Sequence, residues 1–245
     1  MQPRLLLAQA RHADDPMREH EIQCFADQCG LERNTIKPFD LLECAPTLND
    51  VDSFDAFLVG GSGDFYVSQK NLPHHREFEE FLRRLVSARK PTFASCFGYQ
   101  CLVDALGGTI VHDPNNTEVG TFEVTRTLES DKDPLFSGLP RQFMAQLGHK
   151  DRATQNPPGI PNLAGSQRSP FQALRIPNAP IWATQFHPEL NQATNQERFV
   201  RYLDGYSQHM PLDQRDLISQ SFHPSPEASG LLTDFIKILT EEILT

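Results

Sequence analysis

The residues best suited to chemistry are a cysteine, a histidine and a glutamate that follow two short apolar runs. Cys96 comes directly after the apolar segment 91–94, and Gly98 follows two residues later. Residues 101–106 then show helical periodicity and end at a glycine pair. Small neighbours let a strand and a helix pack closely around a nucleophile at a sharp turn, and a helix N-terminus favours a thiolate. The arrangement predicts a nucleophilic Cys96; the alternative is an inert core cysteine.

The second apolar run, residues 181–186, is predicted to be a strand that ends just before His187. In an extended chain, residues two apart point the same way, so His187 and Glu189 can lie side by side. A cysteine, a histidine and an orienting acid are the parts of an activated nucleophile. The spacing therefore predicts a triad of Cys96, His187 and Glu189.

A third segment, Gly60-Gly61-Ser62-Gly63, follows the apolar residues 56–59. Glycines after a strand let bare backbone amides approach a ligand. Beside a nucleophile, such amides stabilise an oxyanion. The alternative is an ordinary turn.

Taken together, these motifs resemble those of class I glutamine amidotransferases. Cys96-Phe97-Gly98-Tyr99-Gln100 resembles the family motif G-x-C-x-G-x-Q, and Phe186-His187-Pro188-Glu189 matches the second motif. The glycine segment resembles the oxyanion loop G-G-P-x-S, and the motifs come in the family's order over about residues 5–205. Ala94, Ser62 and Tyr99 depart from the pattern without removing a catalytic group.

The resemblance implies a role for each matching residue. Cys96 would attack the side-chain amide of glutamine, with His187 as general base and acid and Glu189 orienting it. The backbone amides of Gly61 and Phe97 would form the oxyanion hole. The substrate-binding residues implied are Gly60, Gln100, Gly148 and His149. For His149 a solvated loop position is an equal alternative. No metal site and no cofactor are expected.

The function expected from this resemblance is hydrolysis of glutamine through a γ-glutamyl thioester. The chain has no P-loop or glycine-rich ATP pyrophosphatase loop, so the ammonia acceptor would be a synthetase subunit on another polypeptide. The general pattern is most similar to free-standing amidotransferases that resemble the glutaminase domain of GMP synthase. The alternatives are a stand-alone γ-glutamyl hydrolase or peptidase and, third, a catalytically inactive binding module.

The order of apolar segments predicts an α/β fold: a flavodoxin-like, open, mostly parallel sheet with helices on both faces. Strands are expected within 5–8, 36–44, 56–59, 91–94 and 181–186, with helices within 16–29, 73–88 and 101–106. Further β signals at 109–111, 121–124, 142–147 and 171–176 predict an antiparallel or mixed extension of the sheet, followed by a helix over 195–206.

Two regions are expected: an amidotransferase domain over residues 1–207 and a helical extension over 208–245. Leu232, Phe235, Ile236, Leu239 and Ile243 form an apolar stripe at helical spacing in the extension. Such stripes are seldom left bare, so the helix is predicted to pack on the same domain. The alternative is a docking helix for a partner subunit.

Composition limits the kinds of partner and the cellular compartment that we expect. A formal charge of −10 over 245 residues argues against nucleic acid or an anionic membrane as the main partner. The chain has no apolar run near the roughly 18 residues of a membrane span. Its five cysteines include no C-x-x-C pair and the N-terminus has no signal-peptide pattern, which together predict a reducing cytoplasm.

Overall fold

Strands and helices alternate through the first part of the chain in the computed structural model, which describes residues 2–203 and 217–243. The strands are β1 (Leu5–Ala10), β2 (Ile36–Asp40), β3 (Ala56–Ser62), β4 (Thr92–Ser95), β5 (Thr109–His112), β6 (Glu118–Arg126), β7 (Gln142–His149), β8 (Asp151–Gln155), β9 (Asn162–Gly165), β10 (Ala173–Arg175) and β11 (Ile181–Thr184). The helices are α1 (Met17–Cys29), α2 (Leu48–Asp52), α3 (His75–Ser87), α4 (Phe97–Ala105), α5 (Gln192–Arg201) and α6 (Pro226–Ile243).

A nine-stranded sheet carries the site. Its order is β2-β1-β3-β4-β11-β10-β9-β6-β7, and β5 pairs with β8 in a separate ribbon. The first five strands in this order are parallel, which is the flavodoxin-like arrangement with β11 as the fifth strand. β10 and β6 run against their neighbours and form the antiparallel extension. The predicted fold is confirmed.

Helices cover both faces of this sheet. On one face, α1 and α6 pack Phe25 and Phe235 into a core that includes Leu5, Leu7 and Trp182. On the other face, the predicted stripe of α3 (Phe78, Phe81, Leu82, Leu85) joins α4 in a second core. β1, β4 and β11 are buried along their whole length because both faces are covered.

The structure differs from the sequence-based expectation at the two loops nearest the site. β3 continues through Gly60 and Gly61 to Ser62, so these glycines lie in a strand rather than in a loop. α4 begins at Phe97, before the helix boundary expected at 101, and therefore contains Gly98 and Gln100. The expected ends of most other elements lie within a few residues of those observed; β8, β9 and α2 were not expected.

The C-terminal helix α6 packs against the sheet with its apolar stripe inward. Leu232, Phe235 and Leu239 are buried, and Phe235 makes edge-to-face contacts with Phe93 of β4 (5.6 Å) and Trp182 of β11 (6.0 Å). The expected boundary at residues 207 and 208 and the end of the helix expected over 195–206 lie outside the described residues. Among the described helices, none has the length and apolarity that a membrane span requires.

Candidate active site

Cys96 sits at a sharp turn between β4 and α4. Its backbone has φ of 50° and ψ of −101°, a strained conformation for a residue with a side chain. The Cys96 N–H donates to the carbonyl of Thr184 at the end of β11 (2.8 Å), which fixes the turn against the next strand. A Cβ atom on Gly98 would lie 2.6 Å from Cβ of Val59, so only glycine lets α4 approach β3 this closely. The turn has the geometry of a nucleophile elbow.

His187 and Glu189 follow β11 and lie side by side. The backbone N–H of His187 donates to the carbonyl of Gln146 (2.8 Å), and its Nδ1 contacts Oε1 of Glu189 at 2.6 Å. The side chain of His187 also interacts electrostatically with that of Cys96. Burial lowers the pKa of His187, but Glu189 and Cys96 outweigh burial and raise the pKa to about 9. His187 therefore holds a proton more tightly than an ordinary imidazole does.

Arg198 of α5 also contacts the carboxylate of Glu189. Its Nη1 lies 3.3 Å from Oε1 of Glu189 and 3.4 Å from Nδ1 of His187. Burial alone would raise the pKa of Glu189, but the charges of His187 and Arg198 hold this pKa at about 2. Glu189 is fully buried and is therefore an ionised acceptor that fixes the tilt of the imidazole.

Gly60 and Gly61 pack on a buried carboxylate from α1. The Gly61 N–H donates to Oε1 of Glu21 (3.0 Å), and a Cβ on Gly60 would meet that same oxygen at 2.5 Å. Arg11 donates to both carboxylate oxygens of Glu21. Burial would raise the pKa of Glu21, but the charges of Arg11 and Arg198 outweigh burial and lower it. In this structure the Gly61 amide is thus held by an ionised side chain, while Cα of Gly61 faces His187.

A chain of buried amides lies on the other side of the nucleophile. Nε2 of Gln100 donates to the carbonyl of Asp151 (2.8 Å) and to Oε1 of Gln185 (3.1 Å). Nε2 of Gln185 in turn donates to the sulfur of Cys96 at 3.7 Å. Gln100 and Gln185 are 4% and 0% exposed, so water does not compete for these bonds.

His149 ends β7 as a buried residue, which rules out the solvated loop alternative. Its Nδ1 donates to the carbonyl of Asp151 (2.9 Å), and its Nε2 contacts Oε2 of Glu118 (3.0 Å). Burial would raise the pKa of Glu118, but hydrogen bonds from His149 and Ser166 outweigh it and lower this pKa. Glu118 also accepts a bond from Gln172. Both ring nitrogens of His149 are therefore held by other groups of the protein.

A cavity of about 420 Å³ opens in front of Cys96. Five of the predicted site residues line it: Cys96, Phe97, Gln100, Gly148 and His149. The cavity is also lined by Asp14 from the loop after β1, by Ser62 at the end of β3 and by Tyr66 from the loop after β3. This is the carboxyl edge of the parallel strands, where ligands bind in open α/β sheets. His187 and Glu189 lie behind the cavity, and Gly60 and Gly61 lie against Glu21.

The remaining cysteines are poor candidates for the nucleophile. Burial raises the pKa of Cys101 well above its usual value and raises the pKa of Cys24 and of Cys29 to about 12. Cys44 is exposed on the surface after β2, away from the triad. Cys96 is the cysteine that combines a general base with access to the cavity.

One cluster away from the triad has ligand atoms suited to a cation. Side-chain atoms of His75, Glu79 and Asp104 lie within 4.8 Å of one another. Nζ of Lys70 lies 3.4 Å from both carboxylates, so an ammonium already balances their charge. The cluster is an ion-pair network at the far end of α4.

Comparisons with known proteins identify the family of the chain. A family model for class I glutamine amidotransferases matches residues 29–203, and the chain belongs to this family. It is 35% identical over 133 residues to a glutamine-hydrolyzing GMP synthase of Thermosipho melanesiensis, covering 54% of this chain and 23% of that protein. It is 26% identical over 147 residues to one subunit of the glutamine-hydrolyzing GMP synthase of Pyrococcus abyssi, covering 60% of this chain and 76% of that subunit.

Solved structures show the same fold. A glutamine amidotransferase from Thermotoga maritima superposes with a TM-score of 0.74 at 18% identity, over 98% of this chain and 99% of that one. A putative GMP synthase subunit from Thermoplasma acidophilum gives 0.63 at 16% identity, over 100% and 98%. The chain spans about a quarter of the length of the Thermosipho enzyme, so only the glutaminase-like part is shared.

Three residues around the site were not singled out from the sequence: Glu21, Gln185 and Arg198; Glu118 did stand out, in the segment Glu118-Val119-Gly120. Gln185 stands one residue before the second motif, as a polar residue in an apolar run, which is a usable signal. Glu118 stands two residues before Gly120, a spacing also found in the family. Glu21 and Arg198 lie on helices rich in polar residues, and the neighbouring sequence gives no indication that these two side chains are buried.

Proposed function

We propose that the chain hydrolyses the side-chain amide of glutamine through Cys96, His187 and Glu189, as a glutaminase subunit. The observation that carries the proposal is the 2.6 Å contact of Glu189 with His187, an imidazole that interacts electrostatically with Cys96, which lines the cavity. Family membership supports it, since these residues match the family motifs.

The chemistry follows from the triad. The Cys96 thiolate attacks the amide carbon, and the new C–S bond pushes charge onto the amide oxygen near the Phe97 N–H, which the helix N-terminus leaves without an intrahelical partner. His187 gives its Nε2 proton to the leaving nitrogen, so the C–N bond breaks and ammonia departs. Water then attacks the γ-glutamyl thioester while His187 takes its proton, and glutamate leaves with Cys96 again a thiolate.

We further propose that the ammonia passes to a synthetase on another chain. The Pyrococcus relative is named as one subunit of a glutamine-hydrolyzing GMP synthase, and this chain covers 76% of it. The described part of the chain consists of the nine-stranded sheet, the β5–β8 ribbon and the helices packed on them, and the sheet and both helical layers are used in forming the glutaminase fold.

A second candidate is a γ-glutamyl hydrolase that acts alone. The cavity volume of about 420 Å³ falls in the usual range of about 300–1,000 Å³ for small-molecule sites. It therefore leaves room for a leaving group larger than ammonia.

Steady-state kinetics on glutamine and on a panel of γ-glutamyl amides separates the two candidates. Weak glutaminase activity that rises when a GMP synthase ATP pyrophosphatase subunit is added would support the proposal. Rapid release of a larger amine, with negligible ammonia from glutamine, would instead establish the hydrolase. A Cys96→Ala chain is the control for both reactions, because it keeps the cavity and removes the nucleophile.

A further inference from the structure

We propose that Gln185 is a catalytic residue of this site: its side-chain amide donates a hydrogen bond to the Cys96 sulfur and stabilises the thiolate. The inference rests on the proposed function only for its effect on turnover. The effect on the thiol itself follows from geometry alone. Nε2 of Gln185 lies 3.7 Å from Sγ, a normal distance for an N–H bond to sulfur, and both side chains are buried.

A backbone carbonyl fixes which end of the Gln185 amide faces the sulfur. The carbonyl oxygen of Asp151 can only accept, so the Gln100 atom beside it, at 2.8 Å, must be the nitrogen. That same nitrogen lies 3.1 Å from Gln185, and two N–H groups cannot bond each other, so the facing atom is Oε1. Nε2 of Gln185 is then the atom that points at Cys96. The orientation follows from the hydrogen-bond pattern.

The carbonyl that sets this pattern is itself held in place. His149 donates to it from Nδ1 (2.9 Å), and the other nitrogen of His149 is fixed by the ionised Glu118 (3.0 Å). The resulting chain runs from Glu118 through His149 and the Asp151 carbonyl to Gln100, Gln185 and Cys96. Each member is buried, so the last donor is oriented before any substrate arrives.

A donor in this position matters because the sulfur belongs to a residue that is only 7% exposed and has little water around it. A hydrogen bond to an ionised acceptor is roughly twice as strong as one between neutral groups, and the low local dielectric strengthens it further. The Cys96 side chain interacts both with His187 and with Gln185. Gln185 thus favours the thiolate before attack and again when the thioester breaks, when sulfur is the leaving group.

The test is the pH dependence of Cys96 alkylation by iodoacetamide, read by peptide mass spectrometry in a Cys44→Ser background. Removing Cys44 eliminates the exposed thiol. Gln185→Met keeps the side-chain volume and removes the donor. The pH midpoint of alkylation should therefore rise by about one to two units. At a fixed pH below the midpoint, each unit lowers the thiolate fraction about tenfold. Gln185→Glu should raise it further, because a carboxylate there repels the thiolate.

The other ionisable groups around the thiol are left in place by these variants. They are His187 after β11, Cys101 on α4, and Asp64, His149, Lys150 and Asp151 around the cavity. A second variant, Gln100→Met, keeps Gln185 but frees its amide from the partner that orients it. Its midpoint should lie between those of the wild-type chain and Gln185→Met.

Gln146→Met is the matched control. Gln146 is an equally buried glutamine whose side chain donates to His223 O and Ser225 Oγ and does not contact Cys96, and the variant keeps the backbone carbonyl that accepts from His187. It should lower the thermal unfolding midpoint and leave the alkylation midpoint unchanged. An unchanged alkylation midpoint in folded Gln185→Met or folded Gln100→Met would overturn the proposal. A chain that shows the shift but no glutaminase activity would refute the proposed function and leave this inference intact.

Discussion

The backbone N–H of Gly61 donates to Oε1 of Glu21 across 3.0 Å, so a carboxylate from α1 holds the amide that the sequence assigns to the oxyanion hole. Glu21 is fully buried and ionised, and Arg11 holds both of its oxygens. An oxyanion role for Gly61 therefore requires this peptide to turn from Glu21 toward Cys96. Rearrangement of an active-site segment by substrate or by a partner is a common way to gate a site.

Gly60→Ala tests how tightly this strand packs on Glu21. The new Cβ would lie 2.5 Å from Oε1 of Glu21, and this carboxylate cannot move without breaking its bonds to Arg11. We expect the free energy of unfolding to fall by about 1–3 kcal/mol, measured by urea denaturation. Gly138→Ala is the control, because a Cβ there meets nothing within 4 Å. Equal stability of the two variants would contradict this packing.

Cys96 is expected to be the cysteine labelled by an alkylating glutamine analogue. Cys96→Ser should keep the fold and lose turnover, since a serine hydroxyl is a far weaker nucleophile beside the same base. Peptide mass spectrometry after labelling should find the adduct on Cys96 and none on Cys101, whose thiol has a strongly raised pKa. An adduct on Cys101, or an unlabelled Cys96 in active protein, would disprove the assignment.

Glu189→Gln should move the alkaline limb of the kcat profile to lower pH. The imidazolium of His187 protonates the leaving nitrogen, so kcat falls as pH rises through the pKa of His187. Glu189 helps to raise this pKa to about 9, and without the carboxylate it should move toward its ordinary value of 6.5. The measurement is kcat against pH for both chains under saturating glutamine.

His187→Gln provides the comparison for that profile. It removes the group that moves the proton, so kcat should fall by about 10²–10⁴-fold and the alkaline limb assigned to His187 should disappear. We expect a smaller loss for Glu189→Gln, because the glutamate only orients the imidazole. A larger loss in Glu189→Gln than in His187→Gln would reverse these roles.

Arg198→Met should make the chain more sensitive to acid. Glu189 has a pKa of about 2 in the folded chain against an ordinary 4.5, so its charge stabilises the fold above pH 4.5 and this contribution is lost as pH falls through 2. Removing Arg198 raises the folded-state pKa of Glu189, so this contribution becomes smaller and is fully lost at a higher pH. Circular dichroism during acid titration measures the shift. Arg201→Met, on the same helix and half exposed, should leave the acid midpoint unchanged.

Phe235→Ala tests the attachment of the C-terminal helix. The ring is fully buried against Phe93 and Trp182, and its loss should cost about 3–5 kcal/mol of unfolding free energy. Phe235→Leu should cost less, because most of the volume remains. Denaturant unfolding monitored by Trp182 fluorescence reports both. A wild-type midpoint in Phe235→Ala would show that the helix does not support the sheet.

The sequence was sufficient for the parts of the fold that local patterns encode. Apolar runs of strand length, the stripe of α3 and the glycine after α1 predicted their elements to within a few residues. The triad residues follow two such runs. The structure pairs these two strands as parallel neighbours, which brings the residues after them to one edge of the sheet.

The surroundings of the triad could not be predicted in this way, because they depend on contacts between distant segments. Glu21 and Gly61 are 40 positions apart, and Gln100 and Gln185 are 85 apart, with no local mark of their pairing. The start of α4 was placed too late because Cys96-Phe97-Gly98 has poor helical pattern by itself. The carbonyl of Thr184, on another strand, anchors the turn that lets the helix begin.

Phe235 packs against both strands that lead to the catalytic residues. β4, which leads into Cys96, pairs with β11, which leads toward His187. Both strands contact the ring of Phe235, on a helix over 40 residues further along the chain. Local opening that frees the helix also exposes the backs of both strands. We therefore expect the amides of β4, β11 and α6 to open together in hydrogen exchange.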